Sequence, residues 1–283
     1  MNILVCVKQV PDTTEIKIDP VTKTLIRKGV ASILNPFDGY ALEAAARLKD
    51  QYKESKIYVI TMGPPQAEAV LRECLGMAAD VAYLTTDRAF SGSDTVATSY
   101  ILSEAIKKIE TDEAIKFDAV FCGMQAIDGD TAQVGPQVAE YLNLPQLTYV
   151  LETKYEAGKL EVLKEIDTGL QRVSIATPCL LTFTKPSFDP RFQTVRRRTA
   201  AKTAQIKRFS MAELGHLDLE KIGLKGSPTK VKTTAVADLK KANAIKINEE
   251  TPQQTAATFI STLQKDVEVY HFLKGRVSHD RNK

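Results

Sequence analysis

A chain of 283 residues, 43% of them apolar, can bury a large core as one domain or two. Its net charge of +3 is too small to argue for nucleic acid, and no run approaches about 18 apolar residues, so no membrane span is expected. Cys6, Cys74, Cys122 and Cys179 stand far apart with no CxxC and no neighbouring histidine, which points away from a metal site and towards buried, reduced thiols in a cytoplasmic protein.

Residues 2–7, NILVCV, read as a buried first strand. Lys8 and Pro11 interrupt this apolar run too early for a signal peptide. Lys8 and Gln9 sit where the strand leaves the core, a usual place for ligand contacts in open α/β sheets. Residues 16–26 give two β-like arms around Asp19-Pro20, a hairpin excursion. Asn35 suits a helix N-cap, Pro36 the first helical position and Asp38 the positive helix end. Ala41, Leu42, Ala45 and Leu48 then supply the apolar stripe. Residues 56–62 read as a strand, and Gly63-Pro64-Pro65 opens a helix to about Met77. Residues 81–85 form another strand. The loop at 90–95 caps a helix through Ile109, with Ser93 or Asp94 as the cap and Thr95 and Thr98 one turn apart on one face. Residues 117–122 are the next strand.

The chain is organised around residues 123–144, GMQAIDGDTAQVGPQVAEYLNL. A strand, a loop of small polar residues and a helix with Pro136 in its first turn bring free backbone N–H groups to an anion. Gly129 and Gly135 allow close backbone approach, and Asp128, Thr131 and Gln133 add partners for ribose or base edges. An ordinary βα turn that binds nothing is the competing reading, since the stretch is neither a Walker loop nor GxGxxG. Lys8, Asn35, Met62, Asp94 and Gln125 all fall just past strand ends or at helix starts, on one rim. The alternation to about residue 145 predicts an α/β fold with a doubly wound, mostly parallel, Rossmann-like sheet and a ligand crevice at the carboxyl ends of its strands.

After Pro145 the pattern changes. Residues 147–155, 159–166 and 170–175 read as an antiparallel meander extending the same sheet, with turns at Ala157-Gly158 and Thr168-Gly169. Residues 178–184 are one more apolar β run. Residues 186–208 are basic, through Arg196, Arg197, Arg198, Lys202, Lys207 and Arg208. They are read as a solvated face or as a docking surface for a partner or for phosphates, with Val195 as an apolar anchor. Residues 211–248 are poor in large apolar residues and read as an extended connection. Residues 251–266 form a helix capped by Thr251, and a basic tail with apolar beads follows, so the whole reads as an arm around a second subunit, with folding back on its own domain as the competing reading. The expected division is 1–210, a nucleotide-binding domain, and 211–283, a C-terminal helical arm.

No nucleophile elbow, HExxH or paired carboxylates for acid–base work is present, and His216, His271 and His279 lie in the less structured half. Such a chain needs a cofactor to supply its chemistry.

The residues VCVKQVPD at 5–12, NPFD at 35–38, GMQAIDGDTAQVGP at 123–136, VLKEIDTGLQRVSIATPCLLT at 162–182 and DPRFQTV at 189–195 resemble the β subunit of electron-transfer flavoproteins over nearly the full chain. Thr168 departs from that family, which usually has an acidic residue or Gly there. The resemblance implies a heterodimer with a flavoprotein α subunit. It also implies a nucleotide site on Cys6, Asn35, Phe37, Asp38, Met62, Gln125, Ala126, Asp128, Gly129, Asp130, Thr131, Gln133, Val134, Gly135 and Pro136. In the ordinary branch that site holds AMP. In the bifurcating branch it holds FAD, which accepts hydride from NADH, and ferredoxin or flavodoxin is a further acceptor. DGDTAQVGP, in place of a DDDCNQTG-type loop, and SGSDTVATS at 91–99 look like the bifurcating branch, which adds Asp94, Thr95 and Thr98 to the flavin site. DPRFQTV matches the family's docking loop for acyl-CoA-dehydrogenase-type enzymes, and Val195, Arg191 and Arg196 are the expected docking residues. Asp128 and Asp130 would repel phosphate, so ribose, water or loop-holding contacts are expected of them. An adenine-nucleotide-binding regulator without redox chemistry is the reading from a different class.

Overall fold

β1 (Asn2–Cys6) is buried along almost its whole length, as its unbroken apolar sequence requires, and the sheet is built outward from it. The computed structural model describes residues 1–12, 17–18, 25–26, 31–230 and 245–265. The chain divides into two compact units, residues 1–234 and 235–283.

The first unit continues through β2 (Gln9–Pro11), β3 (Lys17–Ile18), β4 (Leu25–Ile26), β5 (Ser32–Leu34), α1 (Pro36–Gln51), β6 (Lys56–Met62), α2 (Glu68–Met77), β7 (Val81–Thr85), α3 (Thr95–Asp112), β8 (Ala119–Gly123) and α4 (Val134–Leu142). Next come β9 (Gln146–Glu156), β10 (Lys159–Ile166), β11 (Gly169–Ala176), β12 (Cys179–Phe183), α5 (Val195–Thr203), β13 (Ile206–Phe209) and the short α6 (Gly223–Gly226). One nine-stranded sheet has the order β11-β10-β9-β12-β8-β1-β6-β7-β13. Neighbours from β9 to β13 run parallel, while β10 pairs antiparallel with both β9 and β11. β3 and β4 pair as the expected hairpin arms. Its Asp19-Pro20 turn lies outside the described residues.

α1 and α2 bury Leu42, Leu48, Leu71 and Cys74 against one face of the sheet, and α3 and α4 bury Ile101, Leu102, Ile106 and Val138 against the other. Helices on both faces make the sheet doubly wound, and each fully buried Leu or Ile contributes roughly 2 kcal/mol. From β1 the chain winds out to β6 and β7, then returns to set β8 on β1's other side. The winding reverses between β1 and β8, and at such a reversal the loops part and leave a crevice at the carboxyl ends.

One expected strand takes a place the sequence does not indicate, and two segments differ from their sequence reading. The apolar run at 178–184 is β12, inserted between β8 and β9 with all five residues buried. The basic stretch is not a bare solvated face: it forms α5 and the sheet's outer strand β13. Part of its charge is engaged: Arg197 donates to Leu75 O (3.0 Å) and Ala79 O (2.7 Å), Lys207 pairs with Glu113 and Arg208 pairs with Glu68. α5 carries little sequence signal because its buried side is reduced to Ala201. Finally, the chain keeps packing past residue 210. Leu214, Leu217 and Ile222 are buried on the α3 face, which carries the compact unit to residue 234.

In the second unit α7 (Pro252–Lys265) has the expected cap. The Gln254 N–H donates to Thr251 Oγ1 (3.3 Å) and the Thr251 N–H donates to Gln254 Oε1 (3.1 Å), a capping box. The basic tail expected beyond it lies outside the described residues. Among the described residues no helix is long and apolar enough to cross a membrane.

Candidate functional site

A cavity of ≈ 330 Å³ opens at the carboxyl ends of β1 and β8, where the winding reverses. Of the residues expected at the site, Cys6, Asn35, Asp38, Met62, Asp94, Thr95, Thr98, Gln125, Ala126, Gly129, Thr131, Gln133, Val134 and Gly135 line it together. Phe37, Asp128, Asp130 and Pro136 do not line it. Phe37 packs edge-on against Tyr40. Asp128 accepts from Lys8 Nζ at 2.7 and 2.9 Å, and Asp130 accepts from Gln125 Nε2 at 2.8 Å, so both carboxylates brace the loop. Pro136 is the third residue of α4. Ala132, inside the 125–136 stretch, lines it too, and Val7, Leu102, Cys122, Gly123 and Met124 do so without having been expected there. Cys122 and Gly123 were findable: they end the strand beside β1, as Cys6 ends β1 itself.

Asn35 occupies the N-cap position of α1 but makes no side-chain cap bond. Its Nδ2 donates to Gln125 O (2.8 Å) and its Oδ1 accepts from the Ile127 N–H (3.2 Å). The capping expected of it gives way to a tether, because a carboxamide offers one donor and one acceptor to a passing backbone. Asp38, buried in the first turn, accepts from the Lys8 N–H (2.7 Å) and the Gly123 N–H (3.1 Å). One carboxyl group thus clamps the ends of β1 and β8 at the point of reversal.

Burial pushes the Asp38 pKa up to about 7, against the pull of the Asn35 side chain and of the Lys8 and Gly123 N–H groups. Unfolded, the same group has an ordinary value of 3.8. The native state binds more protons across that window, so this contribution to stability is full below the lower value and is lost as pH rises through the upper one. From about pH 5 to about pH 8, denaturation midpoints should show the wild type losing on the order of 3 kcal/mol relative to Asp38→Asn. Parallel pH profiles would contradict this.

The two helix starts beside the loop differ. α4 begins at Gln133 with no side-chain cap, so its first N–H groups, which have no intrahelical partner, remain for a ligand. α3 is capped by Asp94, which accepts from the Val96 N–H (3.0 Å) and the Ala97 N–H (3.1 Å). Burial raises the Asp94 carboxyl, but donation from Ala97, Thr229 and Val96 outweighs it and holds the group below the usual carboxylate range. α3 therefore presents hydroxyls, from Thr95 and Thr98, rather than amides. Thr95 Oγ1 lies 2.9 Å from Gln133 Oε1 and ties the two starts together. Asp130 (φ 49°) and Ala132 (φ 53°) hold left-handed backbone on either side of Thr131. Strain of this kind costs about 1–3 kcal/mol per residue and persists where surroundings enforce it. Open space surrounds the missing Cβ of Gly129. Gly135 differs from its expected role, because a Cβ there would meet Thr182 of β12 and not the cavity.

In the 189–195 loop, Arg191 is bonded to Glu43 (2.8 Å) and Asp50 (2.8 Å) and fastens the loop to α1. Val195 is 83% exposed, and Phe192, not expected there, is 95% exposed. Arg196 is exposed beside them.

Comparison with known proteins gives the family. The electron transfer flavoprotein domain matches residues 22–214. The chain is 53% identical over 233 residues to the electron transfer flavoprotein subunit beta of Megasphaera elsdenii, covering 82% of this chain and 86% of that one. It is 46% identical over 265 residues to the caffeyl-CoA reductase-Etf complex subunit CarD of Acetobacterium woodii, covering 94% and 98%. It is 41% identical over 268 residues to protein FixA of Azotobacter vinelandii, covering 93% and 94%. A crevice at the sheet's reversal, walled by an uncapped helix start, on a chain so alike to these relatives leaves one assignment: it belongs to the electron transfer flavoprotein family, as a β subunit.

Proposed function

We propose that this β subunit holds FAD in the β1–β8 cavity and oxidises NADH there. It then divides the electrons between ferredoxin or flavodoxin and, through the FAD of its α subunit, an acyl-CoA-dehydrogenase-type flavoenzyme. The observation that carries the reading is the uncapped start of α4 opening into a cavity that reaches on to the Thr95 and Thr98 hydroxyls of α3. The donor set suits a pyrophosphate: the α4 amides and the Thr98 hydroxyl line the cavity, while Asp128 and Asp130 are occupied elsewhere. Bound FAD supplies the hydride acceptor and the one-electron chemistry. The chain's own part is to bind and orient, through the α4 amides, the Asn35-tethered loop and the Asp38 clamp. The name of the Acetobacterium relative, a subunit of a caffeyl-CoA reductase-Etf complex, supports an acyl-CoA-type partner.

Adding NADH to the anaerobic heterodimer should bleach flavin absorbance. Reduction by dithionite but not by NADH would favour the AMP-holding alternative, in which α4 serves a single phosphate and the subunit only relays electrons.

Residues 235–283 are assigned to the α subunit's surface, and Phe192 and Val195 to the dehydrogenase. Two exposed apolar side chains beside Arg196, on a loop locked by Arg191, have the make-up of a docking spot. Val195→Asp should weaken dehydrogenase binding about tenfold or more and leave NADH-driven bleaching intact. Unchanged affinity in a titration would refute that role.

A further inference from the structure

β1 and β8 meet in register at Cys6 and Cys122. Residues so paired on neighbouring strands stand about 4.8 Å apart, and both side chains belong to the face that carries α3 and α4. Both thiols are free, both are almost enclosed by protein, and both line the nucleotide cavity. Cys74 and Cys179 are buried on the opposite face, away from this cavity. The strand spacing falls within the roughly 4.4–6.8 Å Cα separation that a disulfide accepts.

We propose that Cys6 and Cys122 form a two-thiol modification site on the cavity wall, which closes to a disulfide when the cavity is empty and hydrogen peroxide enters it. The Cys6 sulfur attacks one peroxide oxygen, the O–O bond breaks, and a sulfenic acid forms as water leaves. The Cys122 sulfur then displaces that hydroxyl, which leaves as a second water with the Cys122 proton. Two thiols lose two electrons and two protons, and one hydrogen peroxide becomes two waters. The neighbouring Cys6 side chain and burial hold the Cys122 thiol well above its ordinary pKa, which suits it to the second step. A nucleotide seated over the pair keeps the oxidant out, and this shielding alone rests on the function proposed above.

The test takes the full-length β subunit with its α subunit, stripped of nucleotide and exposed to hydrogen peroxide, then alkylated and mapped by peptide mass. The peptides bearing Cys6 and Cys122 should become linked and should separate again with dithiothreitol. Cys6→Ser and Cys122→Ser should each abolish the link. Two thiols still open to alkylation, or either one driven alone to sulfinic acid, would overturn the proposal. In the nucleotide-loaded complex linkage should slow roughly tenfold or more. Equal rates with the link intact would uphold the thiol pair and count against a nucleotide over it. Phenylarsine oxide, a probe that needs two adjacent thiols and no oxidation, should bind the empty wild-type β chain and fail on either serine variant. Binding untouched by both substitutions would also overturn the pairing.

Discussion

Replacing Gly123 by alanine should cost the chain on the order of 3 kcal/mol and empty the nucleotide cavity. A Cβ at this position would stand 2.3 Å from Asp38 Oδ1 and 2.8 Å from both the Asp38 N and the Phe37 carbonyl carbon. Two of those atoms are backbone, so no change of rotamer relieves the contact. α1 has to move away from β8, or Asp38 has to give up the Gly123 N–H. Either movement opens the clamp between β1 and β8 and carries Asn35, with its hold on the 125–127 loop, out of place. Denaturation midpoint and bound nucleotide should therefore fall together. A variant with wild-type midpoint and full cofactor content would show that α1 does not abut β8 in this way.

Gly135→Ala should weaken nucleotide retention by a factor of roughly ten to a hundred, with a smaller loss of stability. Its Cβ would lie 2.6 Å from Thr182 Cγ2 and 3.5 Å from Cys122 Cβ. Thr182 is buried in β12, so relief comes from lifting the start of α4 off the sheet. That start carries the amides assigned to the phosphates, and a small displacement lengthens each hydrogen bond to them. Thr182→Ser removes the obstructing methyl group, so the double variant Gly135→Ala with Thr182→Ser should recover most of the lost affinity. If the glycine served ligand approach instead, the serine would restore nothing. Equilibrium dialysis of nucleotide against the single and double variants separates the two cases.

Much of this fold is legible in the sequence because its signals are local. Asp94 and Thr251 sit directly before their helices and cap them as side-chain chemistry predicts. Ala157 and Gly158 both take positive φ, 48° and 80°, as a tight two-residue hairpin turn requires. The rim residues converge because every β-to-α turn in a parallel sheet ends on the same side. What was not legible depends on distant partners. Nothing within 178–184 says that this strand inserts between β8 and β9. β13 has only Ile206 and Phe209 to mark it among basic residues, and its pairing with β7 spans more than half the unit. Leu214, Leu217 and Ile222 are three apolar residues in a Lys- and Gly-rich stretch, and only the α3 surface gives them a reason to be buried.

The site shows the same division. Asn35 and Asp38 were recognisable as helix-start residues, yet their side chains serve other segments, about 90 and 85 positions along the chain. Gly129 and Gly135 look alike in sequence, and only the position of Thr182 separates open space from a packed contact. Arg191, grouped by sequence with a docking surface, is held by two carboxylates of α1.

On the function proposed above, the uncapped start of α4, set at the reversal point of the sheet, retains a dinucleotide that performs the redox work in place of side chains. Denaturing the purified heterodimer and identifying the released nucleotides by mass tests it most directly. Two FAD per heterodimer and no AMP is the predicted result. One FAD and one AMP, or an empty β subunit that gains nothing from added FAD, would contradict it.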